Sequence, residues 1–284
     1  MAFSETLNIL RAEETGSLLI EPLSEGSVAM RVSNVIATNE ERYRVPKIVT
    51  DPTAGWVDEN EDIPESEVAG DNVTTRPAKV AGLVFLPNEL VEDSDPNAAA
   101  LAGRRLVQGI ISKVDEAFFA QAPGEEDPDY EDERPGGLES IDDADLSVID
   151  ADPTNLDSYI DALAEAESQG TTPDSWAMHP TTARALAKIK AGTGSNALLL
   201  GQGAENGVGR RVLGVPVITS PHIVPGHVWG LPKERSLVVV RKDFELATSQ
   251  HYAFRKDQTA VRVIARIGFL FPSTRSLVKI AQGA

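Results

Sequence analysis

Residues 43–90 read YRVPKIVTDPTAGWVDENEDIPESEVAGDNVTTRPAKVAGLVFLPNEL. Two strand-like arms, 43–49 and 78–86, flank a polar middle, 51–77, whose single aromatic residue is Trp56. An excursion this long, with so little apolar content, cannot build a core of its own. We therefore expect something outside the chain to hold it, which predicts an assembly subunit rather than a self-contained enzyme.

Composition excludes several classes of protein. A chain of 284 residues is long enough for one large or two moderate domains. No apolar run approaches the roughly 20 residues that a membrane-spanning helix needs, and the first residues lack the basic and apolar regions of a secretory signal. The absence of cysteine excludes disulfides and thiolate metal sites and fits a reducing compartment.

The net charge of −18 is concentrated in one segment. Residues 124–157 contain 14 acidic residues and one basic residue, Arg134. Residues 127–131 resemble half of a calcium loop, but the glycine and the closing glutamate of such a loop are missing. Because charge runs are usually solvated, we interpret the segment as an acidic surface loop. A chain this acidic is also a poor candidate for sequence-specific binding of nucleic acid.

The remaining pattern predicts an α+β fold in which helices and strands are grouped rather than regularly alternating. The longest helix is predicted over 96–120, where apolar residues recur mostly every fourth position. Asp115 and Glu116 near its C-terminal end oppose the helix dipole, so we expect partner contacts to hold them. Helix-like spacing also occurs over 24–36. Further helices are predicted over 154–169 and 180–190, and strands over 175–178, 215–218, 236–240, 258–267 and 276–280.

Motifs for catalysis are missing. No lysine follows a glycine loop as in a nucleotide-binding site, no strand leads into a Gly-x-Gly-x-x-Gly turn, and no serine-hydrolase elbow occurs. His222 and His227 are five residues apart across two prolines, which is not a ligand spacing on any regular element. We therefore expect no catalytic, cofactor-binding or metal-binding residues. Trp56 has two interpretations: it anchors to a neighbouring subunit, or it folds back on its own loop.

Several short motifs, in order along the chain, resemble the major capsid proteins of tailed bacteriophages, which have the Hong Kong 97 fold. Each motif alone is weak, and their shared order from residue 16 onward is specific. They are Leu-Ile-Glu-Pro-Leu at 19–23, Tyr-x-Val-Pro at 43–46, Trp-x-x-Glu at 56–59, Asn-Glu-Leu-Val-Glu-Asp-Ser at 88–94, Asp-Glu-Ala-Phe at 115–118, Trp-Ala-Met-His-Pro at 176–180, Leu-Gly-Val-Pro-Val at 213–217, and the pair Arg262 and Arg266 with Phe-Pro at 271–272. One of them departs from the family, since His179 stands where the family has asparagine.

The resemblance implies a division of the chain. Residues 1–39 would form the N-arm and 40–86 the E-loop. Residues 87–120 and 241–267 would form the peripheral domain, with the spine helix and its strands. Residues 121–240 and 268–284 would form the axial domain.

A further implication concerns the way the shell is held together. Some members of the family join subunits by a bond between an E-loop lysine and a partner's asparagine, assisted by a glutamate. No lysine lies between Lys47 and Lys79, and residues 255–275 contain neither asparagine nor glutamate. We therefore expect a non-covalent shell. The family's large N-terminal scaffolding region is also absent, so we expect a separate scaffolding protein.

The resemblance implies a structural protein that self-assembles into hexamers and pentamers around double-stranded DNA, without sequence-specific contacts to it. Other implied partners are a portal and a decoration protein, and the location is the virion, after assembly in the cytoplasm of a bacterial host. We expect Asp58, Glu59, Glu61 and Asp62 to meet basic residues of a neighbouring subunit. The candidate contact residues are Trp56, these four carboxylates, Lys79, Arg262 and Arg266. The alternatives are the shell of an encapsulin-type nanocompartment and a calcium-dependent enzyme.

Overall fold

The computed structural model describes residues 26–48, 70–89, 97–120, 135–190 and 210–281. They form a four-stranded sheet, a six-stranded sheet and a two-stranded hairpin. The helices are α1 (Val28–Val32), α2 (Asn97–Phe119), α3 (Leu156–Ser168) and α4 (Pro180–Ala187). The strands are β1 (Asn34–Ala37), β2 (Tyr43–Ile48), β3 (Gly70–Thr75), β4 (Ala78–Pro87), β5 (Ser147–Asp150), β6 (Ser175–Met178), β7 (Arg211–Val212), β8 (Val215–Thr219), β9 (Val228–Leu231), β10 (Leu237–Ala253), β11 (Gln258–Leu270) and β12 (Val278–Ala281).

The four-stranded sheet packs one face against the long helix α2. Its strand order is β1-β10-β11-β4, and β1 pairs with β10 in parallel while the other pairs are antiparallel. Helix α2, roughly 35 Å long, buries the stripe Val107, Ile110, Val114 and Phe118, which confirms the spacing predicted for it. Leu101, which continues the apolar spacing towards the N-terminal end of the helix, is 53% exposed.

The six-stranded sheet has the order β5-β12-β9-β6-β8-β7 and is covered on both faces. One face, with Trp176 and Met178, packs against α3 and α4, whereas the other, with Trp229, faces the core that contains α2. The ring of Trp176 meets Tyr159 edge-on at 5.2 Å, and its Nε1 donates to the Val212 carbonyl. Because the six-stranded sheet is covered on both faces, the 175–178 strand has a continuous apolar sequence rather than an alternating one.

The strands of the 43–90 stretch do not pair in the way that their sequence pattern suggests. Its two arms do not pair with each other: β2 pairs with β3, which lies inside the polar middle, and β4 pairs along its whole length with β11. The sequence did not predict β3, because Gly-Asp-Asn-Val-Thr-Thr has almost no apolar alternation.

Other elements were predicted with errors at their ends. The helical spacing over 24–36 is only partly correct, since α1 is five residues long and the β-branched Val35 and Ile36 belong to β1. The strand predicted over 236–240 continues as β10 to residue 253, and the helix predicted over 180–190 ends at 187. The other predicted helices and strands are confirmed within a few residues. Within the described ranges, no helix is both long enough and apolar enough to cross a membrane.

Candidate assembly surface

The outer face of the four-stranded sheet, opposite α2, carries the three basic candidates from the sequence. Lys79 of β4 lies directly beside Arg266 of β11, and Arg266 lies beside Lys242 of β10. Arg262 is four residues from Arg266 along β11 and therefore on the same face. We call this set the basic row: Lys79, Lys242, Arg262 and Arg266.

The basic row has little internal compensation. Lys242 pairs with Glu245 at 2.5 Å. The hydrogen bond from Lys242, with the nearby charges of Lys242 and Arg262, holds the pKa of the Glu245 carboxyl below its usual range. Within the part of the chain that the structure describes, no ion pair is formed by Lys79, Arg262 or Arg266. Like charges on neighbouring strands repel, so this face is suited to receive an anionic partner.

Apolar side chains extend the same outer face. Leu83 of β4 is 53% exposed and Tyr252 near the end of β10 is 79% exposed. Phe85 stacks on Tyr252 with ring centroids 5.8 Å apart. We call Leu83, Phe85 and Tyr252 the apolar strip. Exposed aromatic groups beside cations are the usual composition of protein–protein contact surfaces. The sequence reasoning missed the strip, although the alternation in 78–86 contained the signal.

The acidic candidates cannot be located in the same way. Trp56, Asp58, Glu59, Glu61 and Asp62 lie outside the described residues. The structure therefore brings together the basic half of the predicted contact set, and the pairing with the acidic half stays a prediction.

Asp115 has an intramolecular role instead of the partner contact that we expected. Its buried carboxylate accepts hydrogen bonds from the Ser27 hydroxyl at 2.7 Å, the Ala29 amide at 3.0 Å and the Val28 amide at 3.1 Å. It therefore satisfies the first amides of α1 and fixes the start of the described chain to α2. The sequence signal was a carboxylate at the unfavourable end of a helix.

The histidines are separate structural residues. His179 caps α4 by accepting from the Thr181 amide, while His222 contacts Ser112 and His227 contacts Glu139. Among the residues that the structure describes, no three His, Asp or Glu side chains are grouped to hold a metal ion.

Comparison with known proteins agrees with this architecture. The family model described as "Phage capsid family" matches residues 9–281. No curated protein sequence matches the chain.

Solved structures share the fold at low sequence identity. The chain is similar to a protein of Microbacterium phage Oxtober96, with a TM-score of 0.72, 17% identity, and 91% of each chain covered. It is similar to the capsid protein of an empty GTA particle, with a TM-score of 0.72, 14% identity, and 91% of this chain and 90% of that chain covered. A virus-like particle from Pyrococcus furiosus gives a TM-score of 0.60 at 15% identity, with 94% of this chain and 98% of that chain covered.

These similarities establish the α+β fold of phage major capsid proteins. The match of the family model over almost the whole chain extends the conclusion from fold to family. The chain therefore belongs to the phage capsid family and is a structural protein of the capsid.

Proposed function

We propose that the chain self-assembles into hexamers and pentamers that form an icosahedral phage head around double-stranded DNA. The observation that carries this proposal is the outer face of the four-stranded sheet, where the basic row and the apolar strip lie side by side without a cover among the described residues. A single chain has no internal use for such a surface, whereas a repeated subunit can bury it against the next copy.

The complementary part of the interface is proposed to be the acidic segment of a second copy. Asp58, Glu59, Glu61 and Asp62 carry four negative charges within five residues, and Trp56 lies two positions before them. We propose that these carboxylates meet the basic row of a neighbouring subunit and that Trp56 packs on its apolar strip. A permanent assembly of this kind is expected to bury more than roughly 2,000 Å² at each interface.

We propose that the shell is held without covalent links between subunits. Lys47 lies on β2 and Lys79 on β4, so both are at the base of the excursion that begins and ends at these strands. Neither asparagine nor glutamate occurs over 255–275. Stability then depends on burial and on charge pairs, and the charge pairs weaken as salt screens them.

The division of the chain and its partners follow from the same proposal. Residues 1–39 would be the N-arm, 40–86 the E-loop, 87–120 and 241–267 the peripheral domain, and 121–240 and 268–284 the axial domain. Strand β4 falls in the E-loop range but completes the sheet of the peripheral range. We propose a separate scaffolding protein, a portal, a decoration protein, assembly in the host cytoplasm, and no enzymatic activity.

Electron microscopy of the purified full-length protein tests the proposal. We expect closed icosahedral particles, and particles from phage-producing cells should contain nuclease-protected double-stranded DNA and a portal at one vertex. A protein that stays monomeric at high concentration, with or without a scaffolding protein, would contradict it.

A protein nanocompartment is the second candidate, because the virus-like particle from Pyrococcus furiosus shares the fold over nearly its whole length. Particles of this class would contain a protein cargo in place of the genome and would lack a portal. Mass spectrometry and nucleic-acid quantification of nuclease-treated particles distinguish the two candidates.

Reversing the charge of the basic row tests the proposed interface. The change of Lys79, Arg262 and Arg266 to glutamate is expected to reduce the yield of particles at least tenfold at low salt, because like charges would then meet across the interface. The matched control carries the same three changes together with lysine at 58, 59, 61 and 62, and we expect it to recover assembly. Sedimentation measures both. Unchanged yield in the first variant, over a range of salt concentrations, would disprove the charge pairing.

A further inference from the structure

Residues 137–139 form a connector that contacts both the C-terminal end of α2 and the six-stranded sheet. The Gly137 backbone lies against the C-terminal carbonyls of α2, so close that a Cβ there would be within 2.7 Å of the oxygens of Ala117, Phe118 and Ala120. Leu138 is fully buried in the same core as Phe118. Two consecutive residues are thus fixed to the end of the long helix.

The next residue is bound to the six-stranded sheet. The Glu139 carboxylate contacts His227 Nδ1 at 2.7 Å through Oε1 and Lys279 Nζ at 3.1 Å through Oε2. His227 directly precedes β9, and Lys279 is in β12, opposite Trp229 of β9. The Lys279 ammonium also lies 5.5 Å from the Trp229 ring centroid. The side chains of Glu139 and Lys279 are about nine-tenths buried, so these charges depend on each other.

Two other charged groups complete the surroundings. Asp143, in the turn Asp143–Asp145, accepts a hydrogen bond from Lys279 at 3.0 Å and is 64% exposed. Asp152, ahead of α3, lines a polar cavity together with His227. The charged groups around the Glu139 carboxylate are therefore His227, Lys279 and, through Lys279, Asp143, and Asp152 lies on the pocket that His227 also lines.

Both buried charges are stabilised by their partners. Burial raises the pKa of Glu139, but hydrogen bonds from His227 and Lys279 outweigh burial and lower that pKa below the ordinary 4.5. Burial lowers the pKa of Lys279, but hydrogen bonds to Asp143 and Glu139 outweigh it and raise that pKa above the ordinary 10.5. The Glu139 carboxylate therefore stabilises the fold above about pH 4.5, and this contribution is lost as the pH falls through its lowered pKa. The Lys279 ammonium stabilises the fold until the pH rises past its raised pKa.

We propose that residues 137–139 form a latch that fixes the six-stranded sheet to the C-terminal end of α2, with Glu139 as its closing group and His227 and Lys279 as the two partners of its carboxylate. The latch acts within one subunit and goes beyond the assembly function. Protonation of Glu139 at low pH would remove the negative charge that both partners contact and would open the latch.

Hydrogen–deuterium exchange of the full-length chain, corrected for the intrinsic pH dependence of exchange, tests the latch. In the wild type, amides of 137–143 and 227–231 should lose protection as the pH falls through the lowered pKa of Glu139. In E139Q they should exchange about tenfold faster at pH 7. The matched control D143N removes only the exposed partner of Lys279 and should differ from the wild type by less than threefold. Peptides of 258–267 should not respond in any variant.

A second variant keeps the proposal testable if E139Q does not fold. H227Q should retain the Glu139–Lys279 pair, lose the short contact to Glu139 Oε1, and exchange about threefold faster than the wild type in 227–231 at pH 7. Equal protection of wild type and E139Q at pH 7 would overturn the latch. Equal protection of 227–231 in wild type and H227Q would overturn the role of His227.

Discussion

Replacing Gly137 with alanine is expected to destabilise the subunit by more than about 4 kcal/mol, which is exceptional for one methyl group. The added Cβ would meet three backbone oxygens, those of Ala117, Phe118 and Ala120, and backbone at the end of a packed helix cannot move aside cheaply. Gly137 has φ of −91°, an ordinary value, so the cost is steric and not conformational. Urea denaturation of the unassembled subunit measures the change.

Gly109 is the matched control. It lies in α2, and a Cβ there would meet nothing within 4 Å. Gly109→Ala should therefore stabilise the chain by up to about 1 kcal/mol through helix propensity. If both substitutions had the same small effect, the close approach of the 137–139 connector to α2 would be wrong.

Replacing Asp115 with alanine is the second substitution with a large expected effect, about 3 kcal/mol. It leaves the Ser27 hydroxyl and the amides of Val28 and Ala29 without their acceptor in a buried site, and each such donor costs about 1–3 kcal/mol. The loss should be greatest around α1. Hydrogen exchange should therefore show faster exchange of 27–33, and denaturation should show the lower free energy of unfolding.

Two variants separate the acceptor role from a general effect of removing an acidic residue. Asp115→Asn retains one acceptor oxygen and should lose less stability than alanine. Asp161→Ala, at an exposed position of α3, should change stability by less than about 0.5 kcal/mol. Equal effects of Asp115→Ala and Asp161→Ala would disprove the anchoring of α1.

The elements that could be predicted are those with a local cause. Helix α2 follows from apolar residues every fourth position, and α3 begins at its capping residue Asn155 and is followed by Gly170, which has φ of +70°. The continuation of β10 over 241–253 could not be predicted. Its charged and apolar residues do not alternate regularly, and its conformation is stabilised by pairing with β11 across several register shifts.

The candidate surface was predictable only in part. The family resemblance selected Arg262, Arg266 and Lys79, and the structure places all three on one face of the sheet. Lys242 lies on the same face only because of the register between β10, β11 and β4. The apolar strip depends on the same register, because Phe85 and Tyr252 are distant in sequence.

The sequence by itself determined the α+β class, the long helix, the absence of catalytic motifs and the resemblance to phage capsid proteins. These depend on composition and on patterns within short segments, where each residue's neighbours are known from the chain. Only the tertiary structure decided that the arms of the 43–90 stretch pair with other strands, that Asp115 holds α1, and that Glu139 connects two parts of the subunit. Those contacts join residues tens to more than one hundred positions apart, and their partners are set by strand register and packing rather than by local preference.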